Sequence, residues 1–211
     1  LHDVFPFLRT QLWHSGGKSA PERLMPQSLS LHPDRLLPVD SAVRDIARAL
    51  YTQVKDLPII SPHGHTDPSW FAKNECFGNA PDLLLTPDHY LLRMLYSQGI
   101  PMEELGIAPK GEASSADPRE AWRLFAQNYH LFRGTPSHIW LDWVFAEAFG
   151  LDVRLSGETA DHYFDIINAK LATDAFRPRA LFDRYGIEVI ATTENPLDTL
   201  EHHQAIRDSD W

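Results

Sequence analysis

His63-Gly64-His65 is the pattern in this sequence that most directly offers chemistry. It follows Leu57-Pro58-Ile59-Ile60-Ser61, a short apolar run between chain breakers that reads as a buried strand. Residues two apart in an extended segment point to the same side, so the two imidazoles can converge on one ion. The glycine between them permits close backbone approach. Asp67, just beyond, is available as a partner to a ligating histidine or as a third oxygen donor. A His-x-His pair arises often by chance, and most surface histidines are simply solvated; its place at the end of a strand gives this one its weight. Two imidazoles are still too few for a catalytic zinc, which usually takes three protein ligands and a water or substrate.

A second group is Asp88-His89-Tyr90, in the first turn of a helix, with Arg93 close behind. Free backbone N–H groups and the positive end of the helix dipole suit that turn to an anion or a polarised oxygen. The plainer reading has Asp88 complementing the dipole, Tyr90 packing and Arg93 as a surface charge. Thr192-Thr193-Glu194-Asn195 sits where barrel enzymes carry active-site groups, although an N-cap cluster accounts for these residues almost as well. His202 and His203 are adjacent on a helix and diverge by about 100°, so they read as surface residues. Trp122, Trp140 and Trp143 read as packing residues rather than sugar platforms. Nothing resembles a phosphate loop, a dinucleotide fingerprint or a nucleophile elbow.

These residues need elements to hold them. Asp40 caps a helix expected over 41–55, whose apolar positions Val43, Ile46, Leu50 and Val54 recur at helical spacing. Further helices are expected from Thr86-Pro87 to Gln98, from Asp117-Pro118, from Thr135-Pro136 to Gly150, from Glu158 to Leu171 and from Arg179 to Tyr185. Ile187 to Ala191 is a β-branched strand, and Pro196 opens a helix through Arg207. The class is α/β. The expected division is an N-terminal arm over 1–39, then a partial metal-dependent domain over 40–211. Within that domain the first strand is 57–61, a helical insertion covers about 80–185, and the second strand is 187–191. A (β/α)₈ barrel needs about 250 residues, so the expectation is the N-terminal part of a distorted TIM-type barrel, truncated relative to the full fold. Residues 1–24, which start at Leu1 and show no period, carry no functional weight.

Composition removes several classes. Of 211 residues, 43% are hydrophobic and 23% charged, which suits a chain that buries a core. Nineteen Lys+Arg against twenty-nine Asp+Glu give a net charge of −10, which argues against nucleic acid or an anionic membrane as partner. No apolar run approaches the roughly 20 residues of a membrane span. Cys76 is the single cysteine, so no intramolecular disulfide or cysteine-based zinc cluster can form, in keeping with a cytoplasmic location.

Pro58 to His65 resembles the first metal-binding strand of the amidohydrolase superfamily. Three more segments resemble uronate (glucuronate) isomerase in particular: Asp88-His89-Tyr90 with Arg93, the His138-Ile139-Trp140 helix, and Val189 to Pro196 running into Leu200-Glu201-His202-His203. The resemblance covers Leu57 to about Arg207 in family order. It implies a distorted (β/α)₈ barrel, a divalent metal (zinc first) and the interconversion of D-glucuronate with D-fructuronate and of D-galacturonate with D-tagaturonate. It implies His63 and His65 as metal ligands, His89 and Tyr90 as the catalytic pair, and Arg93 as a substrate-binding residue. It also puts an Asp after the last barrel strand, a further His and the carboxylate-binding arginines beyond Trp211. Glu194-Asn195 departs from the family's two aspartates, which leaves that pair without an inherited role.

The implied partner is a small uronate sugar, with no nucleic acid and no membrane, and a homo-oligomer is admissible. Two other readings compete with an isomerase whose chain continues past residue 211. One is a metal-dependent hydrolase of the same superfamily acting on an amide or ester. The other is a non-catalytic helical fragment whose histidines are incidental.

Overall fold

Asp40 accepts a hydrogen bond from the Val43 amide and starts α1 (Ser41–Val54), as its position before an apolar-periodic run predicts. The computed structural model describes residues 27–109 and 111–211. Residues 1–26, most of the expected N-terminal arm, lie outside the described residues. Chain order continues with β1 (Ile59–Ser61), α2 (Pro68–Lys73), α3 (Ala80–Leu84), α4 (His89–Ser97), α5 (Pro118–Gln127), α6 (Pro136–Trp143), α7 (Ala160–Leu171), α8 (Pro178–Arg184), β2 (Ile187–Ile190) and α9 (Glu201–Arg207). The starts share one local chemistry. Asp67, Asp117 and Thr135 each accept from a backbone amide in the first turn of α2, α5 and α6, with proline at the first helical position.

β1 and β2 pair in parallel, Ile60 beside Val189 and Ser61 beside Ile190, with a register irregularity between Ile59 and Ile60. A parallel pair needs a long crossover, and here α2 through α8 supply it. The strands therefore lie beside a helical layer that contains the core. Trp122, Phe125, Phe145, Tyr163, Leu91, Leu95, Leu141 and Ile167 are fully buried there. Phe145 stands edge-on to both Trp122 and Tyr163, at centroid distances of 6.2 and 5.0 Å, the geometry favoured by the ring quadrupole. The Trp122 indole N–H donates to the Ala160 carbonyl at 3.1 Å, so its burial leaves no donor unpaired. The segment ahead of α1 docks on this layer: Ser28 bridges Val153, and Leu29 is buried.

Several expectations are corrected. β1 is exposed rather than buried, with Ile60 62% accessible, because no element among the described residues covers it. Pro196 does not open a helix. The Asn195 side chain accepts from the Leu197 amide, Asp198 Oδ2 accepts from the Asn195 amide, and this closed turn delays α9 to Glu201. The helix expected to reach Gly150 changes at Val144 to a π-helical turn through Ala148. Trp122 packs as expected, but Trp140 is 49% exposed. The short helices α2 and α3 had no periodic signal long enough to read.

Candidate metal and active site at the strand ends

The C-terminal ends of β1 and β2 bring together residues far apart in sequence. The Ala191 amide donates to the Ser61 carbonyl at 2.9 Å, extending the ladder one step past the strands. Thr193 Oγ1 then donates to the Gly64 carbonyl at 2.8 Å, and Ser61 Oγ donates to the His63 carbonyl at 3.1 Å. The turn carrying His63-Gly64-His65 is thus fastened to the loop after β2 by side chain as well as backbone. Gly64 favours this approach. A Cβ there would lie 3.1 Å from the Ala191 carbonyl oxygen, closer than a side-chain carbon normally comes.

His63 and His65 lie with ring centroids 5.0 Å apart and ring planes perpendicular. Both rings are exposed. Two imidazoles this close on one turn offer nitrogen donors of the kind that suit zinc and its neighbours. Among the described residues no group of three or more His, Cys, Asp or Glu side chains is placed to hold a metal ion. The pair therefore fits two positions of a metal site and needs a further donor from outside these residues. Asp67 does not supply it as placed, since its Oδ1 accepts from the Ser69 amide at 2.8 Å to cap α2.

Beside His65 opens a cleft of about 380 Å³ bounded by Asp67, Thr193, Glu194, Asp198, His202 and His203. His203 Nε2 lies 2.9 Å from Thr192 Oγ1 and 3.2 Å from Glu194 Oε1. The sequence reading put His203 on the surface. Adjacent histidines do diverge on a helix, but the partners of His203 are in the loop after β2, and nothing local in the sequence signals that contact. Glu194 Oε1 and His203 Nδ1 are themselves buried without a hydrogen-bond partner.

His89 and Tyr90 sit where the sequence puts them, at the start of α4, with rings 4.2 Å apart. Asp88 Oδ1 accepts from the amides of Tyr90 and Leu91, so those donors are already used by the protein's own carboxylate. Tyr90 is 64% exposed, as are His89 and Arg93 in kind. Among the described residues no hydrogen bond, ion pair or ring contact joins His89 and Tyr90 to His63 and His65. The structure therefore joins the His63–His65 turn to the β2 loop by hydrogen bonds and sets the His89–Tyr90 pair at the start of α4, with no direct contact between the two pairs among the described residues.

Comparison with known proteins adds a family to this geometry. Residues 40–211 match the family model described as glucuronate isomerase. A uronate isomerase of Sphingopyxis alaskensis is 68% identical over 183 residues, which is 87% of this chain and 38% of that protein. One from Phenylobacterium zucineum is 62% identical over 187 residues, 89% of this chain and 39% of that protein. The crystal structure of glucuronate isomerase from Caulobacter crescentus superposes with a TM-score of 0.85 at 61% identity, covering 88% of this chain and 39% of that one. The uronate isomerase structure from Thermotoga maritima gives a TM-score of 0.71 at 28% identity, covering 85% and 37%. The chain thus spans 38–39% of the length of these curated relatives.

Proposed function

The chain belongs to the glucuronate isomerase family, and from that premise we propose that it serves the interconversion of D-glucuronate with D-fructuronate, and of D-galacturonate with D-tagaturonate. The observation that carries the reading is the His63-Gly64-His65 turn, held at the end of a parallel strand pair by Thr193 and by the close approach at Gly64. The two strands are read as neighbours in a (β/α)₈ barrel, a reading supported by their parallel pairing and by their uncovered apolar residues. The exposed lone cysteine, Cys76, keeps a cytoplasmic location within the proposal. Among the described residues no helix is long and apolar enough to cross a membrane.

An aldose becomes a ketose here when a proton leaves C2, an enediol forms, and a proton is returned at C1 while the hydroxyl hydrogen passes from O2 to O1. His63 and His65 are the residues that would hold a divalent cation, with zinc the first candidate. Such a cation, when bound, stabilises charge on the sugar's oxygens by several kcal/mol. Tyr90 would donate its phenolic hydrogen to an oxyanion, and His89, in contact with it, is the group suited to move a proton. Arg93 offers a guanidinium to the uronate carboxylate.

The test is a glucuronate isomerisation assay on the full-length protein that carries this chain, after treatment with zinc, with and without chelator. The expected result is fructuronate formation that is lost with chelator and lost in His63→Ala with His65→Ala, the fold remaining intact by circular dichroism. Isomerisation that persists through both treatments sinks the assignment of the histidines. Cleavage of an amide or ester with no action on the uronate would favour the hydrolase reading instead.

A further inference from the structure

The helical layer contains a polar cluster that the proposed isomerisation does not use. A cavity of about 290 Å³ opens between the end of α5, the turn that follows it, α6 and residues 154–158. At its base the Tyr129 O–H donates to Asp142 Oδ1 at 2.9 Å, and Asp142 Oδ2 lies 3.6 Å from His138 Nδ1. The Tyr129 ring stacks on the His138 imidazole, 4.9 Å between centroids and 18° from parallel. Arg133, Arg154, His130 and Glu158 also line the cavity.

Three features bear on what this cluster can hold. The side chains of His138 and Asp142 are only 18% and 15% exposed, and a carboxylate so placed loses much of its hydration. A pair of apolar residues would stabilise the layer at least as well, so stability alone does not account for the cluster. Secondly, Arg133 and Arg154 both line the cavity, and among the described residues neither meets a carboxylate. Thirdly, the imidazoles are oriented. His130 Nδ1 lies 3.1 Å from the Gln127 carbonyl, which can only accept, so Nδ1 carries the hydrogen and Nε2 is left as an acceptor. The cavity offers two guanidiniums that suit an anion and imidazole and carboxylate groups that suit hydroxyls. Its volume, at the small end of the usual range for ligand pockets, matches a molecule of monosaccharide size.

We propose that this cavity is a second binding site, separate from the strand ends, for a small hydroxylated carboxylate of the sugar-acid class. Arg133 and Arg154 hold the carboxylate, and His130 with the Asp142–His138 pair holds the hydroxyls. The site does not depend on the isomerase reading.

The experiment is a titration of the full chain with D-gluconate, followed by the backbone amide resonances of Ser156 and Gly157, with inorganic phosphate and D-glucose as parallel arms. Saturable shifts with gluconate are expected, weakened about tenfold or more in Arg133→Gln with Arg154→Gln. Both arginines are exposed, so that variant should melt with the parent. His63→Ala with His65→Ala should bind gluconate unchanged, which separates this site from the strand ends. No saturable shift, or binding undiminished in the double arginine variant, overturns the site. Phosphate binding as tight as gluconate, or glucose binding equal to it, overturns the sugar-acid assignment.

Discussion

The helical layer and the strand pair are held by different forces. Between Ala80 and Phe176 the apolar side chains interdigitate, and Trp122, Phe125, Phe145 and Tyr163 have no measurable exposure. In α1, β1, β2 and α9 no residue is buried, and Ile46, Leu50 and Ile60 are 62%, 66% and 62% exposed. Burying a large apolar side chain contributes about 1.5–3 kcal/mol, whereas one hydrogen bond contributes a net of about 0.5–1.5 kcal/mol. The strand pair therefore depends on its ladder and on Thr193, and the helical layer depends on packing. The candidate chemistry belongs to the less packed region, where a small polar change shifts geometry without unfolding the chain. A contiguous apolar surface of this kind also marks a face made to be covered.

The strongest test of that contrast is a pair of substitutions. Trp122→Ala empties the centre of the layer and should cost about 3–5 kcal/mol, lowering the melting temperature by roughly 10 °C or more. Ile60→Ser in β1 should stay within about 0.5 kcal/mol. Equal losses in the two thermal melts would break the contrast, since they would show that β1 is covered in solution.

A pH series sharpens the same point from the packed side. Burial is the largest cause that raises the phenols of Tyr129 and Tyr163 above their ordinary value of 10.0, with the Asp142 charge adding to it. In the unfolded chain both ionise near 10.0, while in the folded chain both stay neutral. Their contribution is therefore fully present below pH 10 and is lost as the pH rises beyond it. Denaturant midpoints should fall with pH above 10, and Tyr163→Phe should fall less steeply. A slope unchanged by that substitution would remove Tyr163 from the account.

On the strand side, Thr193→Val removes the bond to the Gly64 carbonyl. The expected stability loss is about 0.5–1.5 kcal/mol, with a larger proportional drop in zinc retention measured by equilibrium dialysis. Stability loss with unchanged zinc retention would mean that Thr193 supports the ladder alone.

Local chemistry made much of this legible in the sequence. The caps at Asp40, Asp117 and Thr135, and the strands around Ile60 and Val189, were readable because each is decided within a few residues; the start of α4 was not, since Thr86-Pro87 reads as the opening and the helix begins at His89 with Asp88 as its cap. The position of His63 and His65 at a strand end was readable for the same reason. Contacts across long separations were not: Thr193 with Gly64 is 129 residues apart in sequence, and His203 with Glu194 depends on a turn that displaced the expected start of α9. The exposure of β1 was also missed, because an apolar strand reads as buried whatever its neighbours turn out to be. In the Tyr129–Asp142–His138 cluster only His138 was marked, by the family resemblance of His138-Ile139-Trp140, and nothing in the sequence pairs it with Tyr129.

The smallest expected effect lies on the surface of the helical layer, and it asks whether charge as well as packing holds that layer. Arg123 donates to both oxygens of Asp161 at 2.9 Å, joining α5 to α7, and Arg119 adds Asp165 at 2.6 Å while lying over the Phe164 ring. Hydrogen bonding from Arg123 is the main reason that the Asp161 carboxyl lies below its ordinary value. A carboxylate lowered in this way stabilises the fold above its unfolded value and loses that contribution as the pH falls through the folded one. The pair is open to water, so its contribution should be slight and screened by salt. Asp161→Asn should lower the melting temperature less than Trp122→Ala or Thr193→Val, with the difference vanishing in acid and shrinking in molar salt. A loss near that of Trp122→Ala, insensitive to salt, would mean that charge holds α5 against α7, and the division between a packed layer and a bonded strand pair would fail on the side where it is best supported.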